Sequence, residues 1–103
     1  MKDLKAEKSP AADLPYYIEM ATGDAVSLYA TDAIASLTVT DEIGGAITGI
    51  TIVHSFSGSQ ILLRISGGTE GDEKRIKVKA TLTNPDYKDE VFVTLYVRTP
   101  YTA

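Results

Sequence analysis

Residues 76–83 of this chain read IKVKATLT, in which every second side chain is apolar. Successive side chains of a strand point to opposite faces of a sheet, so the alternation predicts an antiparallel strand with one buried face. Residues 90–98, EVFVTLYVR, predict a second such strand after the Asn84-Pro85-Asp86 turn. The inward side chains of this second strand are expected to be Val91, Val93, Leu95 and Val97.

Four further runs of strand-forming residues lie upstream, over residues 14–20, 34–40, 47–56 and 60–66. Within residues 34–40 the alternation predicts Ala35, Leu37 and Val39 on one face. Residues 24–35 have no clear period, and a short helix is an alternative there. About seven short strands, with turn signals about every 8–12 residues, predict an all-β fold of the antiparallel β-sandwich type.

The 103 residues accommodate one domain with a single core. Residues 1–13 are rich in charge and poor in large apolar side chains, so we expect a flexible N-terminal arm there. The sandwich domain is expected over residues 14–99, with a C-terminal tail over residues 100–103. No apolar run approaches the about 20 residues of a spanning helix, and none follows the first lysines. We therefore expect neither a membrane segment nor a signal peptide.

Charge and residue usage argue against several classes of site. A net charge of −4 disfavours nucleic acid as a partner, because the protein surfaces that bind nucleic acid are basic. The chain has no cysteine and a single histidine, His54, so disulfides, thiolate metal sites and zinc sites are not expected. No serine in a strained-elbow motif accompanies His54. We predict no catalytic residue, no cofactor and no metal site.

Acidic side chains cluster near two turns, over residues 70–73 and 86–90. Neither cluster has the ligand spacing of an EF-hand loop. Turns favour Asp and Gly for backbone reasons, so we interpret these acids as solvated turn residues. A weak calcium site is the alternative that the sequence leaves open.

Two features of the last strands indicate a protein contact. Four cations lie close together in an acidic protein, and three of them share the outward face of their strand; they suit an acidic partner, although outward lysines also discourage edge-to-edge aggregation. Two aromatic rings point away from the inward valines and need cover, which an oligomer contact would supply. The candidate partner-binding residues are Lys74, Arg75, Lys77, Lys79, Phe92 and Tyr96.

Three motifs carry a family resemblance: DLPYYIE over residues 13–19, SGGTEG over residues 66–71 and FVTLYVR over residues 92–98. In this order they resemble the opening strand, the glycine loop and the closing strand of phage and prophage fiber-tail adaptors, which are small virion-associated all-β proteins. Members of that family commonly carry tryptophan in the opening segment and middle strand, whereas this chain has none.

The resemblance implies an immunoglobulin-like β-sandwich that joins tail components at a fiber-tail or head-tail junction, without enzyme activity or cofactor. The implied partners are other virion or tail proteins, and a homo-oligomer is an open alternative; no nucleic acid and no membrane are expected. The chain is expected in the host cytoplasm until it assembles into a virion. The alternative function is an immunoglobulin-like adhesion or carbohydrate-binding module that uses exposed aromatic rings.

Overall fold

Seven strands form two sheets in the computed structural model, which describes residues 2–21 and 27–98. The strands are β1 (Lys2–Lys8), β2 (Leu14–Glu19), β3 (Ile34–Asp41), β4 (Ile50–Ser57), β5 (Gln60–Gly67), β6 (Glu73–Leu82) and β7 (Lys88–Val97). Sheet A has the order β1-β7-β6-β3, and sheet B has the order β2-β5-β4. No helix within the described ranges is long and apolar enough to cross a bilayer.

The topology is that of an immunoglobulin-type sandwich. Immunoglobulin domains place strands C, F and G in one sheet and strands B, E and D in the other. With β2 to β7 taken as B to G, sheet A contains C, F and G, and sheet B contains B, E and D. The predicted all-β sandwich of about seven strands is therefore confirmed. Because the chain has no cysteine, packing holds the sheets together without an inter-sheet disulfide.

The core lies where the period-two patterns predicted it. The inward side chains of β5, β6 and β7 are at most 1 % exposed: Ile61, Leu63, Ile65, Ile76, Val78, Ala80, Leu82, Val91, Val93, Leu95 and Val97. Ile18 and Met20 close the core from the β2 end. Burying one such aliphatic side chain contributes about 1.5–3 kcal/mol, so these three strands supply most of the apolar stabilisation.

Strand β3 departs from simple alternation at its start. Ile34 pairs with Leu82 and Ser36 with Thr81, which leaves Ala35 as the extra residue of a β-bulge. Ile34 is buried and Ala35 exposed, so the prediction that Ala35 shares a face with Leu37 and Val39 is wrong. The bulge switches the parity of the strand, and from Leu37 onward the predicted alternation holds.

The N-terminal segment is a strand, which corrects the predicted flexible arm over residues 1–13. β1 pairs in parallel with β7, from Lys2 opposite Val91 to Lys8 opposite Val97. Ala6 is buried against the core, with Leu4 half-buried beside it, and the alternate side chains face solvent. The predicted tail over residues 100–103 and part of the helix alternative at 24–35 lie outside the described residues.

A buried lysine fastens the end of β1 to the other sheet. Lys8 is only 4 % exposed, and its Nζ donates to the carbonyl oxygens of Ser9 at 2.7 Å, Pro10 at 3.4 Å and Gly67 at 2.5 Å. An ammonium group has three donors, and each of them has an acceptor here. Because Gly67 ends β5, this side chain links sheet A to sheet B.

The glycine loop after β5 folds back against the end of β7. The Gly71 N–H donates to the Val97 carbonyl at 2.8 Å, and the Val97 N–H donates to the Asp72 carbonyl at 2.9 Å. Gly68 has a φ of +101°, and a Cβ at this position would lie 2.9 Å from a methyl carbon of Val97. Gly71 has a φ of +93°, but a Cβ there would meet no atom within 4 Å.

We expect Gly68→Ala to lower the unfolding free energy by about 2 kcal/mol, because backbone strain at positive φ adds to overpacking against the buried Val97. Gly71→Ala has the same strain without the clash, so it should cost only about 1 kcal/mol. Urea denaturation of both variants measures the difference. Equal losses at the two glycines would show that the close approach to Val97 has no energetic weight.

Candidate functional site

The outer face of sheet A gathers five of the six predicted partner-binding residues. β6 presents Arg75, Lys77 and Lys79 on this face, and β7 presents Phe92 and Tyr96. Pairing brings them together, because Lys77 lies opposite Phe92 in the ladder. The sixth residue has the opposite parity: Lys74 lines an open cleft beside the loop that follows β3.

Each aromatic ring of this face is covered by an arginine of the same chain. The Arg75 guanidinium carbon lies 4.6 Å from the centre of the Phe92 ring, and that of Arg98 lies 4.6 Å from the centre of the Tyr96 ring. Such cation–π contacts contribute about 0.5–1 kcal/mol at exposed sites. The cover that we expected an oligomer contact to supply is thus partly present within the monomer. Arg98 was not among the predicted residues, although its spacing of two from Tyr96 places both on one face.

Acidic side chains pair with two of the four predicted cations, Arg75 and Lys77. Arg75 pairs with Asp3 at 2.8 Å and with Glu42 at 3.2 Å. Lys77 pairs with Glu90 at 3.5 Å. Exposed pairs of this kind are worth about 0–1 kcal/mol each, but they hold the cations in place. Among the residues that the structure describes, Lys79 has no ion-pair partner.

An ion pair of Arg98, the residue after β7, reaches across to strand β1. Arg98 lies 3.7 Å from Glu7, and Asp3 and Glu7 both come from β1. Sequence reasoning therefore missed these acids together with the strand that carries them. The electrostatics of the face differ from the prediction accordingly, since β1 supplies acids to a surface that we expected to be basic. Contact with an acidic partner stays a prediction.

The outer face of sheet B carries an apolar patch that the sequence analysis did not select. Tyr17 is 61 % exposed and Val53 is 62 % exposed. Leu62 lies opposite Tyr17 in the ladder, between the strands that carry the two exposed side chains. Parity was the available signal, because Ile18 and Ile52 point inward and their neighbours must point outward. We call Tyr17, Val53 and Leu62 the sheet B patch.

The other ionisable groups considered for chemistry are His54 and two tyrosines whose hydroxyls make structural hydrogen bonds. His54 lies exposed in β4, and no serine or carboxylate within the described ranges hydrogen-bonds to it. Burial raises the pKa of Tyr16, whose hydroxyl donates to the Lys5 carbonyl at 3.1 Å. Burial also raises the pKa of Tyr29, and the Asp89 carboxylate that accepts its hydroxyl raises this pKa further. Both shifts move the pKa of a tyrosine hydroxyl further above neutral pH. A group that transfers protons in catalysis needs a pKa near the working pH instead.

A carboxylate of the first acidic turn bonds to the backbone of its own loop. The Asp72 carboxylate accepts the Thr69 N–H at 2.9 Å, as a turn residue does. Across residues 2–21 and 27–98, no three His, Asp or Glu side chains lie close enough to hold a metal ion together.

Comparisons with known proteins give one family and one fold. A family model described as podophage GP4 fiber-tail adaptor protein gp77 matches residues 8–96. Among solved structures, the crystal structure of the titin M3 domain is similar, with a TM-score of 0.55 and 16 % identity over 94 % of this chain and 90 % of that one. At this identity the likeness shows the sandwich fold alone. No curated protein matches the chain.

Proposed function

We propose, since the chain belongs to the podophage GP4 fiber-tail adaptor family, that it joins two components of a phage or prophage tail through protein contacts and without catalysis. The observation that carries the proposal is the match over residues 8–96, which spans nearly the whole sandwich. The protein stays in the host cytoplasm until it is built into the virion.

An adaptor needs two separate contact surfaces, and the sandwich has two outer faces that point away from each other. The face of sheet A offers arginine stacked on aromatic rings, with the Arg98 side chain 50 % exposed. Arg, Tyr and Phe are the residue types enriched at the centres of protein interfaces. The sheet B patch offers exposed apolar area. We assign one tail component to each face.

Three matched substitutions test this assignment. Tyr96→Ser alters the face of sheet A, Tyr17→Ser alters the sheet B patch, and Tyr87→Ser alters a tyrosine, 41 % exposed, in the turn before β7. Phage particles assembled without the adaptor are supplemented with each purified variant, and attached fibers are counted by electron microscopy. We expect Tyr96→Ser and Tyr17→Ser each to reduce fiber attachment about tenfold, because each removes an anchor ring worth about 1.4 kcal/mol or more.

Binding to the isolated tail and to the isolated fiber then separates the two faces. Tyr96→Ser should lose one of these partners and Tyr17→Ser the other, whereas Tyr87→Ser should bind both like the wild type. If both face variants restore fiber attachment fully, the two-face assignment is incorrect. If the wild-type chain restores no attachment, the adaptor role itself fails.

A further inference from the structure

The three arginines of the chain differ in the contacts that their side chains make. Arg75 and Arg98 each form an ion pair and each stack on an aromatic ring. Arg64, in the middle of β5, is exposed on the outer face of sheet B. Within residues 2–21 and 27–98 its guanidinium has neither an ion pair nor a ring contact. The described chain therefore leaves one planar cation on this face unpaired.

Strand pairing surrounds Arg64 with apolar side chains. It lies opposite Pro15 of β2 on one side and opposite Val53 of β4 on the other. Directly opposed side chains have Cβ atoms about 4.5–5.5 Å apart, so an acid at either position would reach the guanidinium. The preceding outward residue of β5 is Leu62, and Tyr17 lies opposite Leu62. Arg64 thus adjoins the sheet B patch and adds a single positive charge to its apolar surface.

One acid lies near Arg64 without neutralising it. Asp13 lines the same open hollow of about 150 Å³ as Arg64 and Val53, but no ion pair joins the two charged side chains. Strand β4 beside the hollow carries no acidic, lysine or arginine side chain. A hollow of this volume has room for several water molecules, or for a carboxylate group in their place.

We propose that the tail component on the sheet B patch presents the carboxylate of an Asp or Glu to Arg64, with apolar side chains around it that cover Tyr17, Val53 and Leu62. This inference rests on the proposed function, which assigns one tail component to that patch. It adds the chemistry that the component brings there.

Desolvation of the guanidinium is the physical reason for the carboxylate. A protein that covers Val53 and Leu62 also removes Arg64 from water, because Arg64 adjoins both side chains. Arginine cannot lose its proton in a protein, and a buried cation without a counter-charge costs several kcal/mol. A carboxylate matches the guanidinium with two parallel hydrogen bonds and an opposite charge. A carbonyl oxygen or an aromatic ring would leave the buried charge uncompensated.

Overall charge indicates that the acid comes from another protein. Two copies of this chain, each with a net charge of −4, repel each other. A tail component needs only one acid at this point, whatever its total charge. Since acids elsewhere on the chain repel that carboxylate, the contact at Arg64 also fixes where the partner sits on sheet B.

Charge substitutions at position 64 test the proposal with isolated tails and isolated fibers. Arg64→Gln removes the charge and Arg64→Glu reverses it on an exposed side chain, so both should stay within about 0.5 kcal/mol of the wild type in urea denaturation. For the partner that Tyr17→Ser loses, we expect Arg64→Gln to bind at least about thirtyfold more weakly, because the carboxylate is left buried and unpaired. Arg64→Glu should bind it about another tenfold more weakly, because two carboxylates then meet.

The matched control is Lys88→Gln, which removes an exposed positive charge at the start of β7 and should bind that partner like the wild type. A third substitution, Arg64→Lys, identifies the acid itself. Carbodiimide joins an amine to a carboxylate in contact with it, whereas a guanidinium does not react. Mass spectrometry of the treated complex should find position 64 joined to an Asp or Glu of the tail component.

The outcomes separate this inference from the adaptor function. A wild type that binds neither tails nor fibers overturns both. If Tyr17→Ser loses a partner that Arg64→Gln binds fully, the carboxylate contact is wrong and the adaptor function stands. Equal losses for Arg64→Gln and Arg64→Glu indicate a neutral acceptor, which overturns the inference as well. So does a carbodiimide product that joins position 64 to a second copy of this chain, or the absence of any product at position 64 in a complex that forms.

Discussion

A chain that begins at Ser9, without β1, is expected to lose at least about 4 kcal/mol of unfolding free energy, a large share of the about 5–15 kcal/mol that is typical of a folded domain. The deletion removes a ladder with β7 that runs from Lys2 to Lys8. Each lost backbone hydrogen bond costs about 1 kcal/mol, and buried Ala6 and Lys8 are lost as well. Chemical denaturation of the two chains, followed by circular dichroism, measures the difference.

The control for this deletion is Lys5→Ser, which changes an exposed side chain of β1 and leaves the ladder intact. It should stay within about 0.5 kcal/mol of the wild type. If the chain that begins at Ser9 is as stable as the full chain, residues 1–8 form a dispensable arm after all. The family match begins at residue 8, so it leaves this question to the measurement.

Alternating apolar spacing predicted the middle of the fold because the strands concerned are buried on one face. In β5, β6 and β7 the buried inward side chains are all aliphatic, and all but Ala80 are large, so the period is visible within a single segment. β1 lacks this signal, because its inward positions are Leu4, Ala6 and the exceptional Lys8. Its stabilising partner lies at the other end of the chain, and a non-local pairing leaves no mark in local composition. The bulge at Ala35 was hidden for a similar reason, since pairing with β6 fixes it.

In the candidate site, too, strand parity could be predicted from the sequence and the neighbours across the sheet could not. Parity alone places Arg75 and Phe92 on the outward faces of their strands, and the structure brings both together on one surface. The acids that neutralise this surface come from β1 and from Glu42, which follows β3. Sheet order decides these neighbours, and sequence spacing does not contain sheet order. The apolar neighbours of Arg64 were unpredictable on the same grounds, since pairing with β2 and β4 sets them.

Replacing Lys8 with methionine is expected to lower the unfolding free energy by about 3 kcal/mol, because the carbonyls of Ser9, Pro10 and Gly67 lose a charged donor in a part-buried site and methionine cannot donate in its place. For a domain of this size the melting temperature should fall by about 15 °C.

Exchange of a buried charge for an apolar side chain is often harmless when both partners are replaced together, but here the acceptors belong to the backbone and cannot be removed. Lys5→Met is the matched control, since it makes the same change on the exposed face of the same strand and should stay within about 0.5 kcal/mol of the wild type. Scanning calorimetry of both variants gives the comparison. If Lys8→Met melts with Lys5→Met, water replaces the ammonium group at the three carbonyls, and the link between the sheets at Gly67 contributes nothing to stability.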